Sequence, residues 1–406
     1  MKKRHQQIND REIATSKSFV SFVIHTYGIP VRMMYNLRVR NTQKVFNLEP
    51  PYILLSNHVN TFDPILISLM HNRHIHWVAA DTLFRNKYLR FLLRRLIGSI
   101  SKSKAKSDYY TIQQITKSIR HGGIVGLFPE GQRTWDGRSL PPIYATAKLV
   151  RMLKVPIVIC TLEGGYHSLP RWSSKRRRGK LTIAYQDPIM PEEFSGMSIQ
   201  NIYEMLSDRL YYDAYEAQAK DKVLFSSTKR AEYAEHVLYV CPECGGSDTL
   251  RSCKNDLTCT ACGYSAHMDK YGFFRYKEGV KGFSTVADWN SWQLMETTRR
   301  IKNGEWGLSD YFFPGDKARL FSGYRDRRMR VLGSVRVNMM REGIEVVRNS
   351  VKQIFYYDKI ESLAVAMQRN LEFYYDGSMY RLHFPAPRAS AYKYLAVFEA
   401  VHAIDI

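Results

Sequence analysis

The amino-acid sequence predicts an α/β protein with a largely parallel sheet in its first half, followed by two smaller parts, the second of them rich in strands. Three observations support this prediction. Between about residues 44 and 221, short apolar runs alternate with helical patterns, as they do in parallel sheets. The composition then changes abruptly at a cluster of cysteines that begins at Cys241. From about residue 307 the chain is strand-like and turn-rich.

Five apolar runs in the first half predict buried strands, and three other stretches predict helices. The strands are Tyr52–Leu55, His74–Ala80, Ile124–Phe128, Ile157–Leu162 and Leu181–Tyr185. The helices are Asp108–Arg120, Tyr144–Leu153 and Ile199–Ala219. Ligands of such sheets bind at the carboxyl ends of strands. The segments that follow the first and third strands are therefore candidate site segments.

The last part of the chain predicts a small β-domain closed by one helix. A hairpin signal, Asp376-Gly377, separates two of its strands, and Ser390–Ala403 has an amphipathic helical pattern. This order of elements resembles that of pleckstrin-homology-like domains. The strands are Val331–Val337, Ile344–Arg348, Lys352–Tyr357, Leu371–Tyr375 and Tyr380–Phe384.

Size and charge limit the classes of function. The chain has 406 residues, enough for two or three domains, and its 45% hydrophobic content excludes a disordered chain. The net charge of +22 predicts a polyanionic partner. Nucleic acid, an anionic membrane surface and an acidic carrier protein all meet that condition.

No stretch reaches the ~18 apolar residues that a membrane-spanning helix requires. The longest uncharged stretch, Ser18–Val31, is flanked by basic residues and contains a glycine and a proline. It is a poor signal peptide, because acidic residues interrupt its start and no small-residue cleavage site follows. Either a helix lying in the plane of a membrane or a helix packed on its own domain fits this stretch.

The segment Ser56–Pro64 contains the first motif that carries chemistry. His58 follows a predicted strand, and Asp63 stands where a helix begins. On one helix, a spacing of five residues would turn the two side chains about 140° apart, so they meet only if His58 lies in a loop that folds back. An aspartate in contact with a histidine fixes its tautomer, so that the ring can take a proton from an alcohol. The alternative is that Asp63 and Pro64 only start the helix.

The second motif is Phe128-Pro129-Glu130-Gly131-Gln132-Arg133, at the end of the third predicted strand. The guanidinium of Arg133 offers a planar fork of donors that suits phosphate. Taken alone, the segment also fits a common turn followed by a surface arginine.

Together, Asn57-His58-x4-Asp63 and the 128–133 segment resemble the motifs of the 1-acylglycerol-3-phosphate acyltransferase (PlsC-type) family. The resemblance covers roughly residues 40 to 220. It implies an α/β acyltransferase domain that moves an acyl group from a thioester to the free hydroxyl of a lysophospholipid. The implied donors are acyl-CoA and acyl-carrier protein.

The resemblance also implies roles for individual residues. His58 would be the general base on the acceptor hydroxyl, and Asp63 would orient it. Glu130 and Gly131 would shape the acceptor site, and Arg133 would lie near the acceptor's phosphate. No organic cofactor beyond the acyl donor is expected.

A thioester is already a good acyl donor, so this chemistry needs no nucleophile from the enzyme. The sequence agrees, since it contains no Gly-x-Ser-x-Gly motif and Cys160 lies in a predicted core strand.

The family's second block is altered in this chain. Thr82 stands where an acidic residue is usual, and Lys102 and Lys104 stand near the position of a phosphate-binding arginine. Lysine holds phosphate as a point charge and not as a fork. We predict substrate-binding roles for Phe84, Arg85, Lys102 and Lys104.

Residues 85–106 contain eight basic residues and no acidic one, with apolar residues between them. This pattern predicts a basic amphipathic helix that contacts an anionic membrane or an acidic carrier protein. A solvated helix over the core is the alternative.

Five of the six cysteines lie between Cys241 and Cys262. Two CxxCG turns predict a structural zinc ribbon with four thiolate ligands, Cys241, Cys244, Cys259 and Cys262. Cys253 is predicted to be a spare, buried thiol. Clustered cysteines of this kind predict reduced thiols and a cytosolic compartment.

These observations predict a peripheral enzyme on the cytosolic face of a membrane. The predicted parts are an N-terminal membrane-associating helical segment (1–40), the acyltransferase domain (41–235), the zinc ribbon (236–300) and a β-rich domain (301–406). The alternative is a zinc-ribbon scaffold that binds nucleic acid or protein and carries an inactive acyltransferase fold. Nucleic acid is not favoured as a partner, because it gives no reason for the two motifs to occur together.

Overall fold

The computed structural model describes residues 22, 26, 28–102, 109–305, 311–313, 315–323 and 329–404, apart from the side chains at positions 85 and 96. The chain divides into two compact units. The N-terminal unit contains the residues up to Arg133 together with Ser139–Glu163 and Lys180–Tyr212. The C-terminal unit contains Thr134–Arg138, Gly164–Gly179 and the residues from Asp213 onward.

The N-terminal unit is built on one seven-stranded sheet with the order β1-β7-β6-β2-β5-β3-β4. The strands are β1 (Leu37–Arg40), β2 (Tyr52–Ser56), β3 (Ile75–Ala80), β4 (Ile100–Lys102), β5 (Ile124–Leu127), β6 (Ile157–Glu163) and β7 (Leu181–Tyr185). Strands β6, β2, β5, β3 and β4 are mutually parallel, whereas β7 runs antiparallel to β6. The predicted, largely parallel sheet is therefore confirmed.

Helices cover this sheet and complete its core. The described helical segments are Ile29–Met34, Gln43–Phe46, Asp63–Met70, Asp81–Arg85, Lys87–Phe91, Leu92–Leu96, Tyr109–Arg120, Tyr144–Leu153, Pro191–Phe194 and Ile199–Leu210. Ile115, Val150 and Leu206, from three of the longer helices, pack in one buried cluster with Ile53 and Val125 of the central strands.

Two predicted helices differ from the observed ones. The predicted helix Ile199–Ala219 is two helices, Ile199–Leu210 and Ala214–Asp221, because the Asp213 side chain accepts hydrogen bonds from the first amides of the second helix. The predicted basic helix over residues 85–106 is shorter. It ends at Leu96, and Gly98 (φ +70°) leads into β4.

The C-terminal unit contains two sheets. The smaller has the order β11-β10-β9-β8 and follows the first CxxCG turn. The larger is antiparallel, with the order β15-β14-β13-β12-β18-β17-β16, and the helix Tyr392–Ile404 packs on its strands β16 and β17. The strands are β8 (Leu250–Cys253), β9 (Asp256–Cys259), β10 (Ser265–Met268), β11 (Phe274–Arg275), β12 (Asp316–Gly323), β13 (Arg330–Met339), β14 (Gly343–Arg348), β15 (Val351–Tyr356), β16 (Ile360–Ala366), β17 (Asn370–Tyr375) and β18 (Ser378–His383).

The five strands predicted from residue 331 onward are present, and two more complete the larger sheet. Strands β12 and β16 carry charged or small residues between their apolar ones, so their pattern is weaker. The resemblance of this part to pleckstrin-homology-like domains stays a prediction. The remaining described helices of this unit are Gly165–Ser168, Ala234–His236, Val286–Asn303 and Tyr357–Lys359.

Within the described part of the chain, none of the helices has the length and apolar character needed to cross a bilayer. Most of the predicted N-terminal membrane helix, Ser18–Val31, lies outside the described residues. The end of that stretch forms the start of the helix Ile29–Met34, on which Ile29, Met33 and Met34 are exposed.

Replacing Gly126 in β5 with alanine is expected to destabilise the N-terminal unit. A Cβ atom at this position would lie 2.5 Å from the Trp77 ring and 2.7 Å from Ile75 Cγ2 on the neighbouring strand. Overpacking of this kind costs about 1–3 kcal/mol of unfolding free energy, which urea denaturation can measure. Gly196→Ala is the matched control, because a Cβ there meets nothing within 4 Å. Equal stability of Gly126→Ala and Gly196→Ala would contradict this packing.

Candidate active site

His58 and Asp63 meet, as the first motif predicts. His58 lies in the loop after β2, and Asp63 begins the helix Asp63–Met70, whose second residue is Pro64. The loop folds back so that His58 Nδ1 lies 2.8 Å from Asp63 Oδ2. Because a carboxylate oxygen can only accept, Nδ1 carries the proton, and the lone pair of the neutral ring is on Nε2.

The Asp63 carboxylate also holds the loop itself. Its Oδ2 accepts the backbone N–H groups of Val59 at 2.7 Å and Asn60 at 2.9 Å. Its side chain is fully buried, whereas the His58 side chain is 21% exposed. A buried carboxylate requires such donors, so the backbone of the loop and the imidazole are positioned by the same oxygen.

Glu130 joins the ends of the two central strands. Parallel pairing of β2 with β5 places the segments that follow them at the same edge of the sheet. Glu130 Oε1 accepts the backbone N–H of His58 at 2.8 Å, and Oε2 accepts that of Leu140 at 2.9 Å. Both carboxylate oxygens thus bind backbone amides, so Glu130 acts on the site by fixing the loop that carries His58.

Burial dominates the acidity of Glu130. It raises the pKa of this carboxyl to about 8, and the negative charge of Asp63 acts in the same direction. The two backbone donors, Leu140 and His58, oppose this shift. A proton on Glu130 therefore titrates close to neutral pH.

Arg133 and Gly131 belong to the turn that follows β5. Arg133 Nη1 donates to Thr61 Oγ1 at 3.0 Å, which ties the second motif to the first loop. Burial lowers the pKa of the Arg133 guanidinium, and the charge of Asp63 opposes that shift. Gly131 has φ +70°, and a Cβ there would lie 2.6 Å from Ile143 Cδ1, so the turn requires glycine.

Three residues that the sequence did not single out support the histidine. The His58 ring stacks on Phe128 with ring centroids 4.2 Å apart, and Phe128 stacks on Trp77 at 4.8 Å. Asn57 Oδ1 accepts the backbone N–H of Leu162 at 2.8 Å, which anchors the residue before His58 to the end of β6. Asn57 and Phe128 belong to the two sequence motifs, and this position was the only sign of their role. No sequence pattern pointed to Trp77.

The other predicted substrate-binding residues lie farther along the sheet. Phe84 is fully buried, with the Arg94 guanidinium 5.2 Å from its ring centroid. Lys102 ends β4, and nothing is described of the Arg85 side chain. Lys104 lies outside the described residues. Their binding roles stay predictions.

Cys160 is not a nucleophile in this site. It is buried in β6, and burial raises the pKa of its thiol to about 12. Thiolate is the reactive form of cysteine, so this side chain is inert at neutral pH.

The four predicted metal ligands lie together in the C-terminal unit. The sulfur atoms of Cys241, Cys244, Cys259 and Cys262 all lie within 4.8 Å of one another. The Sγ–Sγ distance is 3.7 Å for Cys241 and Cys262 and 3.8 Å for Cys244 and Cys259. A tetrahedron with zinc–sulfur bonds of about 2.3 Å has edges of about 3.8 Å, so the spacing of the thiols fits zinc.

The expectation that Cys253 is buried is wrong, since its side chain is exposed at the end of β8. The two-residue alternation of that strand turns Leu250 and Ser252 inward and Cys253 outward.

Comparisons with known proteins bear on the first half of the chain. Residues 36–163 match a family model described as Acyltransferase. The chain is 22% identical over 190 residues to a 1-acyl-sn-glycerol-3-phosphate acyltransferase of Bacillus subtilis (strain 168), covering 45% of this chain and 92% of that protein. A relative with the same name from Limnanthes douglasii is 21% identical over 196 residues, covering 46% of this chain and 64% of the relative.

Among solved structures, the chain is similar to the 1-acyl-sn-glycerophosphate (LPA) acyltransferase PlsC of Thermotoga maritima. The identity is 19% and the TM-score 0.40, covering 50% of this chain and 81% of that one. The family match and the named relatives support an acyltransferase domain in the first half of the chain. The family model ends at residue 163, so the cysteine cluster lies outside it.

The stability of the protein is expected to depend on the proton of Glu130. A carboxyl whose pKa is about 8 in the folded state and ~4.3 when unfolded stabilises the fold at low pH, and this contribution disappears as the pH rises through 8. Between pH 6 and pH 9, the unfolding free energy of the wild type relative to Glu130→Gln should fall by about 3 kcal/mol. Urea denaturation at the two pH values measures this difference.

Glutamine cannot accept both backbone amides, so Glu130→Gln should also lose a fixed amount of stability, and the pH-dependent difference adds to that offset. Glu192→Gln, at an exposed carboxylate of the same unit, serves as the control and should follow the wild type. A constant difference between the wild type and Glu130→Gln from pH 6 to pH 9 would argue against a buried, protonated Glu130.

Proposed function

We propose that this protein is a glycerolipid O-acyltransferase that moves a fatty acyl group from an acyl thioester to the free hydroxyl of a lysophospholipid such as 1-acylglycerol 3-phosphate. The observation that carries the proposal is the contact between His58 Nδ1 and the buried Asp63 carboxylate, which places the lone pair of the partly exposed, neutral ring on Nε2. The family match over residues 36–163 supports the same class of reaction.

In the proposed reaction, the acceptor hydroxyl gives its proton to His58 Nε2 while its oxygen attacks the thioester carbonyl carbon. The C–S bond then breaks, and the imidazolium returns the proton to the leaving thiolate. Asp63 favours the imidazolium that forms between these steps. The products are an ester and a free thiol, so no oxidant or additional nucleophile is required.

Arg133 is the residue proposed to hold the acceptor's phosphate. Its guanidinium donates a hydrogen bond to Thr61 of the His58 loop. A phosphate bound by Arg133 would place the adjacent hydroxyl of a glycerol within reach of the His58 ring. The fork of the guanidinium suits a phosphate monoester. Glu130 and Gly131 contribute by shaping the backbone between these two groups.

We also propose that the enzyme acts at an anionic membrane surface on the cytosolic side. Its acceptor is a membrane lipid, and its net charge is +22. Apolar residues are exposed on the helix Ile29–Met34. Tyr88 and Phe91 are exposed on the helix Lys87–Phe91, which begins the basic segment. Apolar and basic residues of this kind suit a headgroup layer.

The test is acyl transfer by pure protein from acyl-CoA or acyl-carrier protein to lysophosphatidate, followed by mass spectrometry of the lipids. His58→Ala and Asp63→Asn should each lower kcat by about 10²–10⁴-fold, because general-base catalysis contributes this much. His121→Ala is the control, since His121 is an exposed histidine of the same unit whose Nδ1 contacts only its own helix end in the described contacts. Activity of His58→Ala equal to that of His121→Ala would remove the proposed mechanism.

The cysteine cluster is proposed to hold one structural zinc ion. Four thiolates fill the tetrahedral coordination of zinc and leave no position for a substrate, so the ion would stabilise the fold of the ribbon. The ligands would be Cys241, Cys244, Cys259 and Cys262.

Elemental analysis should find about one zinc per chain, and a chelator should lower the melting temperature. Cys244→Ser should lose the metal, whereas Cys253→Ser, at an exposed cysteine outside the cluster, should retain it. Equal zinc content in the two variants would contradict this assignment.

A further inference from the structure

A basic cleft lies at one edge of the N-terminal sheet. It has a volume of about 270 Å³ and lies between the helical segments 87–96, strand β4 and the start of the helix Tyr109–Arg120. None of the described residues that line it is acidic. The lining side chains that matter here are four basic and two aromatic ones, Lys87, Arg90, Arg94, Arg95, Phe91 and Tyr110.

The backbone carbonyl groups beside this cleft are already engaged by donors of the protein. His74 Nε2 donates to the carbonyl of Ile97 at 2.8 Å, and His76 Nδ1 donates to that of Gly98 at 2.9 Å. Burial lowers the pKa of His74 to about 4 and also lowers that of His76, so both rings are neutral donors at pH 7.

The carbonyl of Ser101 is engaged in the same way, by Thr111 Oγ1 at 2.8 Å. Three acceptors that would repel an anion are therefore paired with protein donors. The walls themselves carry four cationic side chains. This combination suits phosphate.

The position of the cleft separates it from the acceptor's phosphate. Strand β4 is three strands away from β2, or about 14 Å across the sheet. Ile100 pairs with Val78, the residue after Trp77. Trp77 and Leu54 both pair with Gly126, so Ile100 lies level with Leu55. Ile100 is therefore about three residues short of His58 along the strands. At ideal strand spacings, Ile100 in the wall of the cleft is therefore about 17 Å from the His58 position.

A glycerol phosphate whose hydroxyl contacts His58 cannot place its phosphate that far away. The pantetheine arm of an acyl thioester can, because some thirteen bonds separate its sulfur from its first phosphorus, an extended length of about 15 Å. We propose that the cleft binds the phosphate at the far end of this arm. The inference rests on the proposed function, and it assigns the acyl donor to the basic cleft and the acceptor to Arg133.

Coenzyme A and acyl-carrier protein both carry this phosphate.

The variant to test combines Lys87→Glu with Arg95→Glu. Arg90 and Arg94 are left unchanged, because they also contact Phe84 and support the fold. The matched control is Lys148→Glu with Arg151→Glu, two exposed basic residues on another helix of the same unit. Titration calorimetry with coenzyme A measures binding without chemistry, and steady-state kinetics measures KM for each substrate.

Reversing the two charges should raise the Kd for coenzyme A and the KM for acyl-CoA by about tenfold or more, with the KM for lysophosphatidate within about twofold of the wild type. The effect should shrink at high salt. An S-acyl-N-acetylcysteamine donor, which has no phosphate, should be used equally by the wild type and both variants. A raised KM for acyl-carrier protein alone would make the carrier's phosphopantetheine the source of the phosphate.

An unchanged Kd for coenzyme A together with an unchanged KM for both natural donors would overturn the proposal. A raised KM for lysophosphatidate alone would also overturn it, because that result would place the acceptor in the cleft. An equal loss of activity with the N-acetylcysteamine donor would overturn it as well, because that result would indicate a damaged fold. Absence of product from every donor with the wild type would instead overturn the proposed function, and the coenzyme A titration would still decide the cleft.

Discussion

The site depends on one buried carboxylate. Asp63 is fully buried, and its Oδ2 accepts hydrogen bonds from His58 Nδ1 and from the backbone amides of Val59 and Asn60. Because a carboxylate without donors is costly inside a protein, the loop folds around this oxygen and carries the imidazole with it. The same interaction selects the tautomer of His58, so the local fold and the proposed chemistry have one physical cause.

The parallel sheet determines what else reaches this loop. Strands β2 and β5 are neighbours and run in the same direction, so the segments after them meet at one edge. Glu130 uses this proximity to bind the backbone of His58 and of Leu140. Its burial raises its pKa to about 8, so the group that positions the His58 loop is itself sensitive to pH near neutrality.

The C-terminal unit shows a comparable use of buried charge. Lys393 is almost fully buried on the last helix and forms ion pairs with Asp248, beside the first CxxCG turn, and with Asp316 of β12 at 2.7 Å. Phe313 lies under the same ammonium group at 4.9 Å. These contacts connect the ribbon region to the larger sheet. Removing one partner would leave a buried charge without compensation, which lowers the stability of the unit.

The sequence by itself determined the features that depend on short stretches of chain. The five-residue spacing of His58 and Asp63, the paired CxxCG turns and the alternation of apolar runs are all local patterns, and they were sufficient to predict the loop, the cysteine cluster and the parallel sheet. Tertiary structure decided the rest. The stack of Trp77 under Phe128, the role of Glu130 as a link between backbone segments and the cleft beside β4 all arise from segments that are distant in the chain and adjacent in the sheet. Burial and contact between such strands depend on the packing of the whole unit, and no local pattern contains that information.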